Sequence, residues 1–78
     1  MATRKIMLAR GEWQQVSDGT QTVVVQVFDV FQVCDSPDKP ADDAPALRFS
    51  GKTITITPPT KAWIRATGLY GETPAIIL

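Results

Sequence analysis

Few residues in this chain could carry out covalent or acid–base chemistry. The 78 residues include one cysteine, Cys34, and no histidine. A catalytic thiol needs a base that activates it, and because the sequence offers no candidate for that base, we interpret Cys34 as a thiol at the end of a strand. Four acids, Asp35, Asp38, Asp42 and Asp43, lie close together and could attract a hard cation, but their spacing matches no EF-hand loop. We therefore predict no catalytic residue, no cofactor, no metal site and no enzymatic activity.

The charge and the hydropathy pattern also limit the partners. The formal net charge is zero, so the composition gives no indication of nucleic-acid binding. The basic amino terminus has no sustained apolar stretch and is not a signal peptide. No segment approaches the roughly 20 apolar residues of a membrane span. The lone thiol fits a reducing compartment, so we expect synthesis in a cytoplasm. We also expect no nucleic-acid, membrane or small-molecule partner.

The length indicates one domain, residues 1–78. A domain of this size buries roughly 60% of its unfolded surface, and small scaffolds usually add disulfides, a metal or oligomerisation. Cys34 has no partner for an intrachain disulfide. We therefore expect oligomerisation or docking onto a larger body, with a self-sufficient monomer as the alternative.

The longest apolar segment is Thr22–Cys34, which is β-branched and aromatic nearly throughout and has no Gly or Pro. Such a run predicts a long or bent strand. Its alternation is imperfect, because Asp29 has the parity of the apolar positions on one face. Either a bulge near Phe28 and Asp29 switches the faces, or a tight turn there splits the run into two strands.

The other apolar segments predict short strands separated by turns. The turn signals are Ser17–Thr20, whose Asp-Gly pair suits a hairpin, Ser50–Lys52, and Gly68–Thr73. The strand candidates are Lys5–Ala9, Glu12–Val16, Ala46–Phe49, Thr53–Thr57, Lys61–Thr67 and Ala75–Leu78. Six to eight short strands with close turns are typical of a small antiparallel β-sandwich or partly closed barrel, so the predicted fold class is all-β.

Two segments are expected outside this framework. Residues 1–10 are basic and form a first strand or an extended arm. Residues 35–45 are acidic and rich in proline, which fixes φ and removes a backbone donor. We predict a loop there that spans the two sheets of a sandwich or projects from the body.

The alternation of apolar and polar residues predicts the core, and a charge within the apolar run predicts one polar pair. The side chains expected to be mostly buried are Val25, Val27, Ile54, Ile56 and either Trp63 or Ile64. Arg65 shares a face with Trp63, and its guanidinium can stack on a ring or pair with a carboxylate. An unpaired charge in the apolar run would be costly, so we predict a cross-strand pair between Asp29 and Arg65, with Arg48 as the alternative partner of Asp29.

Two stretches carry a resemblance to a known class of proteins. One is Trp13–Thr20 (WQQVSDGT) followed by Thr22–Val27, and the other is Thr53–Pro59 followed by Ala62–Ala66 (AWIRA). Together they resemble small β-sandwich virion structural proteins of tailed bacteriophages and prophages, which act in the head, at the head–tail junction or in the tail and fibres. The acidic loop and the stop at Leu78 depart from that pattern. The resemblance implies a virion protein, made in the host bacterial cytoplasm, that acts as symmetric copies and contacts other virion proteins.

The expected function is therefore structural, exerted through β-sheet surfaces between copies. The final segment, Ala75–Leu78, is wholly apolar, and one sheet face alone cannot bury all of its side chains because they alternate. We expect it to pack on a neighbouring subunit beside the basic arm. The predicted interface residues are Arg4, Lys5, Met7, Ile76, Ile77 and Leu78. The alternative is a carbohydrate- or surface-binding module, which would need Trp13, Trp63 and Tyr70 exposed together on one face.

Overall fold

A computed structural model describes residues 3–68 and 71–78. Its β-prone segments form a six-stranded antiparallel sheet that curls into a half-barrel, and the described residues contain no helix. The strands are β1 Arg4–Ala9, β2 Gln14–Gln15, β3 Val23–Asp35, β4 Leu47–Ile56, β5 Ala62–Ala66 and β6 Glu72–Ile77. The predicted all-β class is confirmed, in the form of a curled sheet.

β3 organises the sheet because it is long enough to serve three neighbours. One of its edges pairs with β4 along almost the whole strand, from Val23 to Val33. The other edge is shared, since Val25–Val27 pair with β6 and Phe31–Asp35 pair with β5. Beyond these, β1 pairs with β6 and β2 pairs with β5. The sheet thus has a first half, built on residues 23–27 of β3, and a second half, built on residues 30–35.

The irregular residues lie along the boundary between the two halves. Val27 pairs with Lys52 and Val30 with Ser50, so that Phe28 and Asp29 together face Gly51. This is the predicted bulge near Phe28 and Asp29, and it bends β3 without splitting it.

The same boundary continues across the other strands. Gly11, with a φ of 76°, separates β1 from β2, and its amide donates to the Ala66 carbonyl at the end of β5. The Thr67 amide donates to the Val30 carbonyl beside the bulge. The bulge of β3, the junction between β1 and β2, and the end of β5 are therefore neighbours. Two glycines with positive φ, Gly11 and Gly51, lie at these irregular points, where other residues would be strained.

Two turn predictions are wrong for related reasons. Ser50–Lys52 is not a turn, because β4 runs continuously from Leu47 to Ile56 and Gly51 absorbs the bend opposite the bulge. Ser17–Thr20 contains a bend with Gly19 at a φ of 87°, but it does not close a hairpin. The strand before it, β2, pairs with β5 rather than with β3.

The core lies on the inner face of the curl and draws on both halves of the sheet. Val25, Val27 and Ile64 are completely or almost completely buried, and Ile56 is 6% exposed. These predictions are confirmed, while Ile54 is only half-buried at the edge of the core. The other buried apolar members are Leu8, Val16, Val23, Phe31, Ala62, Ala66, Ala75 and Ile77.

Candidate interaction surface

The outer face of the second half is covered by the loop between β3 and β4. Three side chains hold this loop through its backbone carbonyls. The Trp63 indole donates to Ser36 O (2.9 Å), the Trp13 indole donates to Ala41 O (3.3 Å), and Arg65 Nη2 donates to Asp42 O (2.8 Å). The predicted loop at 35–45 is therefore present, but it joins neighbouring strands and folds back on the sheet instead of spanning two sheets or projecting.

Arg65 is the centre of this covered face. Its guanidinium carbon lies 4.3 Å from the Trp13 ring centroid, and its Nε donates to Gln32 Oε1 at 2.7 Å. Nη1 stands 3.9 Å from the Asp42 carboxylate, which is almost fully exposed. The interpretation of Arg65 as more than a solvated charge is supported, since its side chain is only 12% exposed.

The predicted Asp29–Arg65 pair is wrong, because register places Gln32 opposite Arg65. Arg48 lies opposite Gln32 on the other edge of β3, so the structure does not bring it to Asp29 either. Trp63 lies on the same outer face as Arg65, as predicted, and is half-buried.

Asp29 instead lies at the bulge, against the backbone of Gly68. Its Oδ2 is buried and has no hydrogen-bond partner among the described residues, and the same holds for Oγ1 of the nearby Thr67. A methyl group added at Gly68 would overlap this carboxylate. The carboxylate fills the space that a side chain at position 68 would need.

The outer face of the first half has no such cover among the described residues. The strip defined by Met7, Val24, Pro74, Ile76 and Leu78 crosses three strands on this face, because Met7 pairs with Pro74 and Leu78 exchanges backbone hydrogen bonds with Val24. Met7 is 42% exposed and Leu78 is 55% exposed, while the other three are half-buried. We call these five residues the outer strip. Contiguous exposed apolar surface of this kind marks interaction sites.

Polar residues border the outer strip. Lys5 and Gln26 flank Ile76 on its two neighbouring strands. Phe28, which is 56% exposed at the bulge, extends the apolar surface along β3. An apolar centre with a polar rim is the usual anatomy of a protein interface.

The sequence-predicted interface residues divide between the two faces. Lys5, Met7, Ile76 and Leu78 lie together on the outer face. Ile77 is 4% exposed in the core, so it cannot contact a neighbour, because alternation turns it inward between Ile76 and Leu78. The sequence reasoning missed Val24, Pro74 and Phe28, since only the pairing of β3 with β6 reveals that they share this face.

Arg4 lies apart from the other predicted interface residues of β1. It pairs with Ile77 on the inward parity and lines a cavity of about 290 Å³. The other lining residues are Gln15, Val16, Ser17, Asp18, Gln21, Val23, Ile77 and Leu78. This cavity is formed by one wall from each half of the sheet. It has no buried charged group that would fix a ligand.

The final segment is not a free sheet edge, which corrects a second part of the interface prediction. β6 lies between β1 and β3, and β1 lies beside it as expected for the basic arm. The outer edge of β1 is partly capped, because Gln14 Nε2 donates to the Met7 carbonyl at 2.7 Å. The long open edge is β4, which pairs only with β3 in the described chain.

Asp18 lies in a surface turn and has a lowered pKa. Asp18 Oδ1 accepts hydrogen bonds from the Thr20 hydroxyl and the Thr20 amide. These bonds, the hydroxyl first, lower the pKa of Asp18 below its usual value of 3.8, because they stabilise the ionised carboxylate. The fully exposed setting indicates a turn-stabilising role.

The aromatic platform required by the alternative function is not formed by the two tryptophans. Trp13 is 3% exposed under the loop, and Trp63 uses its indole N–H to hold Ser36. Tyr70 lies outside the described residues. The two tryptophans therefore serve packing, as do Phe31 and Phe49, whose ring centroids are 5.5 Å apart across β3 and β4.

A metal site and a membrane-spanning helix are both absent from the described residues. These residues contain no group of three or more His, Cys, Asp or Glu side chains arranged to hold a metal ion. They also contain no helix with the length and apolar character needed to cross a membrane. No family model, curated protein or solved structure matched the chain.

Proposed function

We propose that this protein is a non-enzymatic assembly protein whose copies join through the outer strip. The observation that carries the proposal is the contrast between the two outer faces of the curled sheet. The second half is covered by the chain's own loop, while the outer strip on the first half lies open in the described chain. Burying apolar surface supplies about 25 cal/mol per Å², and a domain this small gains much from such burial.

A second copy is the occupant that the chemistry of the strip favours. No side chain of the strip is charged, so two strips can meet face to face without placing like-charged side chains opposite one another. Lys5, at the border of the strip, keeps its ammonium at the rim, where lysine side chains remain hydrated. The same patch on both partners forms a two-fold, isologous contact.

The setting that we propose is a bacteriophage or prophage virion. It rests on the resemblance of the Trp13–Thr20 and Ala62–Ala66 stretches to small virion proteins and on the small β-rich fold. In that setting symmetric copies would also contact other virion proteins, at the head, the head–tail junction or the tail.

The test is the mass of the full chain in solution. By light scattering coupled to gel filtration, the wild-type chain should exceed the monomer mass of 8.5 kDa. Ile76→Lys should return it to the monomer, because the ammonium would be desolvated in the contact. Thr57→Lys adds the same charge at an exposed position outside the strip and should leave the assembly intact.

A second variant controls for misfolding of Ile76→Lys. Leu78→Lys alters a side chain that is more than half exposed, so it should fold with the wild-type circular-dichroism spectrum and still dissociate. A wild-type chain that stays monomeric at millimolar concentration, or an assembly that survives both variants, would rule out the outer strip as the contact between copies.

A further inference from the structure

The open edge of β4 is a second surface, separate from the outer strip. Ten residues long, this strand pairs only with β3 in the described chain. The outward backbone groups of such a strand can pair with an added strand. The inward face of β4 is also only partly covered. Phe49 and Ile54 are half-buried, while their partners on β3, Phe31 and Val25, are completely buried.

An apolar cavity lies beside the first residue of β4, over the end of β3. Its volume is about 400 Å³, and its lining residues are Val33, Cys34, Asp35, Pro45, Ala46, Leu47 and Thr60. Leu47, at the first position of β4, is 67% exposed beside it. A strand laid along β4 would bring one of its side chains to this cavity, which is large enough for an aliphatic or aromatic group.

The charged side chains of β4 indicate the charge that its partner should carry. β4 carries Arg48 and Lys52 and no acidic residue, and both cations are exposed. Arg48 pairs with Gln32 on the outer face, while Lys52 pairs with Val27 on the inner face and lies 5.6 Å from the Phe49 ring. An added strand therefore meets one cation on each face. A second β4 would place four cations on adjacent strands, which disfavours pairing between two copies.

We infer that the β4 edge binds an extended, acidic segment of a different protein chain. The segment adds a strand to the sheet, places carboxylates beside Arg48 and Lys52, and inserts an apolar side chain into the cavity at Leu47. Backbone pairing supplies the affinity, while the cavity and the two cations supply the selectivity. The inference does not depend on contacts between copies through the outer strip.

The experiment is a selection from a library of random ten-residue peptides displayed on a carrier and panned on the immobilised full chain. The selected peptides should be enriched in Asp and Glu and contain at least one Val, Ile, Leu or Phe. Their binding should fall by about tenfold or more in the double variant Arg48→Glu, Lys52→Glu, since two attractive charges become repulsive. The double variant Arg10→Glu, Lys39→Glu makes the same charge change at two exposed positions outside β4 and the outer strip, and it should leave peptide binding unchanged.

Hydrogen exchange on the strongest selected peptide supplies a second readout. Amides of β4 should become protected when the peptide is added, while the outer strip should not change. Peptides without acidic enrichment, or binding that is insensitive to the double variant, would overturn the inference. Protection of β4 that appears with protein concentration alone would also overturn it, because the edge would then be occupied by a second copy.

Discussion

The guanidinium of Arg65 lies 4.3 Å from the centroid of the Trp13 ring, although the two residues come from separate strands and loops. The contact joins the segment before β2 to β5, and further bonds from Arg65 reach Gln32 and the Asp42 backbone. One planar cation thus fixes three parts of the chain. This geometry explains why an acidic, proline-rich loop lies flat on the sheet.

Arg65→Ala should lower the free energy of unfolding by about 3 kcal/mol, through the loss of charge-assisted hydrogen bonds and of the ring contact. Asp42→Ala should change it by less than about 1 kcal/mol, because the exposed carboxylate contributes little and the carbonyl remains. Urea unfolding followed by tryptophan fluorescence measures both. Equal effects of the two variants would show that the carboxylate, rather than the stack and the carbonyl, holds the loop.

Gly68→Ala should destabilise the protein by about 1–3 kcal/mol, because the new methyl group would stand 2.9 Å from Asp29 Cγ and overlap Oδ2. Removing the carboxylate in the double variant with Asp29→Ala should recover most of that loss. Gly71→Ala is the matched control, since a methyl group there meets nothing within 4 Å. Additive effects of the two substitutions in thermal unfolding would contradict the proposed overlap.

The direction in which side chains point could be predicted from the sequence, whereas the pairing of distant strands could not. Alternation along Thr53–Thr57 and Ala62–Ala66 predicts the inward positions correctly, because side-chain period is a local property. The bulge at Asp29 was also predictable, since a carboxylate interrupts an apolar face. Local patterns do not encode pairing, however. Whether Ser17–Thr20 closes a hairpin depends on which distant strand β2 meets.

The same distinction explains the errors at the candidate sites. The strand pattern predicts that Arg65 is more than a solvated charge, but its partners Trp13 and Asp42 come from segments that only the folded loop brings near. The sequence predicts Ile76, Ile77 and Leu78 together as interface residues, although alternation turns Ile77 into the core. Val24 and Pro74 could not be assigned to that face without the register of β3 and β6.

Gly51 of β4 should tolerate few other residues. Its φ of 51° lies in the left-handed region, at the bend opposite Phe28 and Asp29. Gly51→Val should lower the free energy of unfolding by about 2 kcal/mol or more, because a β-branched residue is strained there. Gly51→Asn should cost less, since asparagine tolerates this conformation. Chemical unfolding that ranks the two variants equally would argue against the bend, and Ser50→Val is the neighbouring control.

Ile56→Ala should lower the free energy of unfolding by about 2–5 kcal/mol, which is a large part of the stability of a small domain. Ile56 is 6% exposed in the core, so its removal leaves a cavity. Ile54→Ala should cost clearly less because Ile54 is half-buried at the open edge. Thermal unfolding of the two variants makes the comparison, and a larger loss for Ile54 would indicate that the β4 edge is covered.

Thr20→Val should raise the pKa of Asp18 towards 3.8, because the hydroxyl that stabilises the carboxylate is the main cause of its lowered value. Since the folded pKa is depressed, the turn's contribution to stability is present above the unfolded value and is lost as the pH falls through the folded value. Thr20→Ser keeps the hydroxyl and should keep the low pKa. An NMR titration of the Asp18 carboxyl carbon reports these values directly. If Thr20→Val and the wild type titrate alike, the backbone amide alone must stabilise the carboxylate.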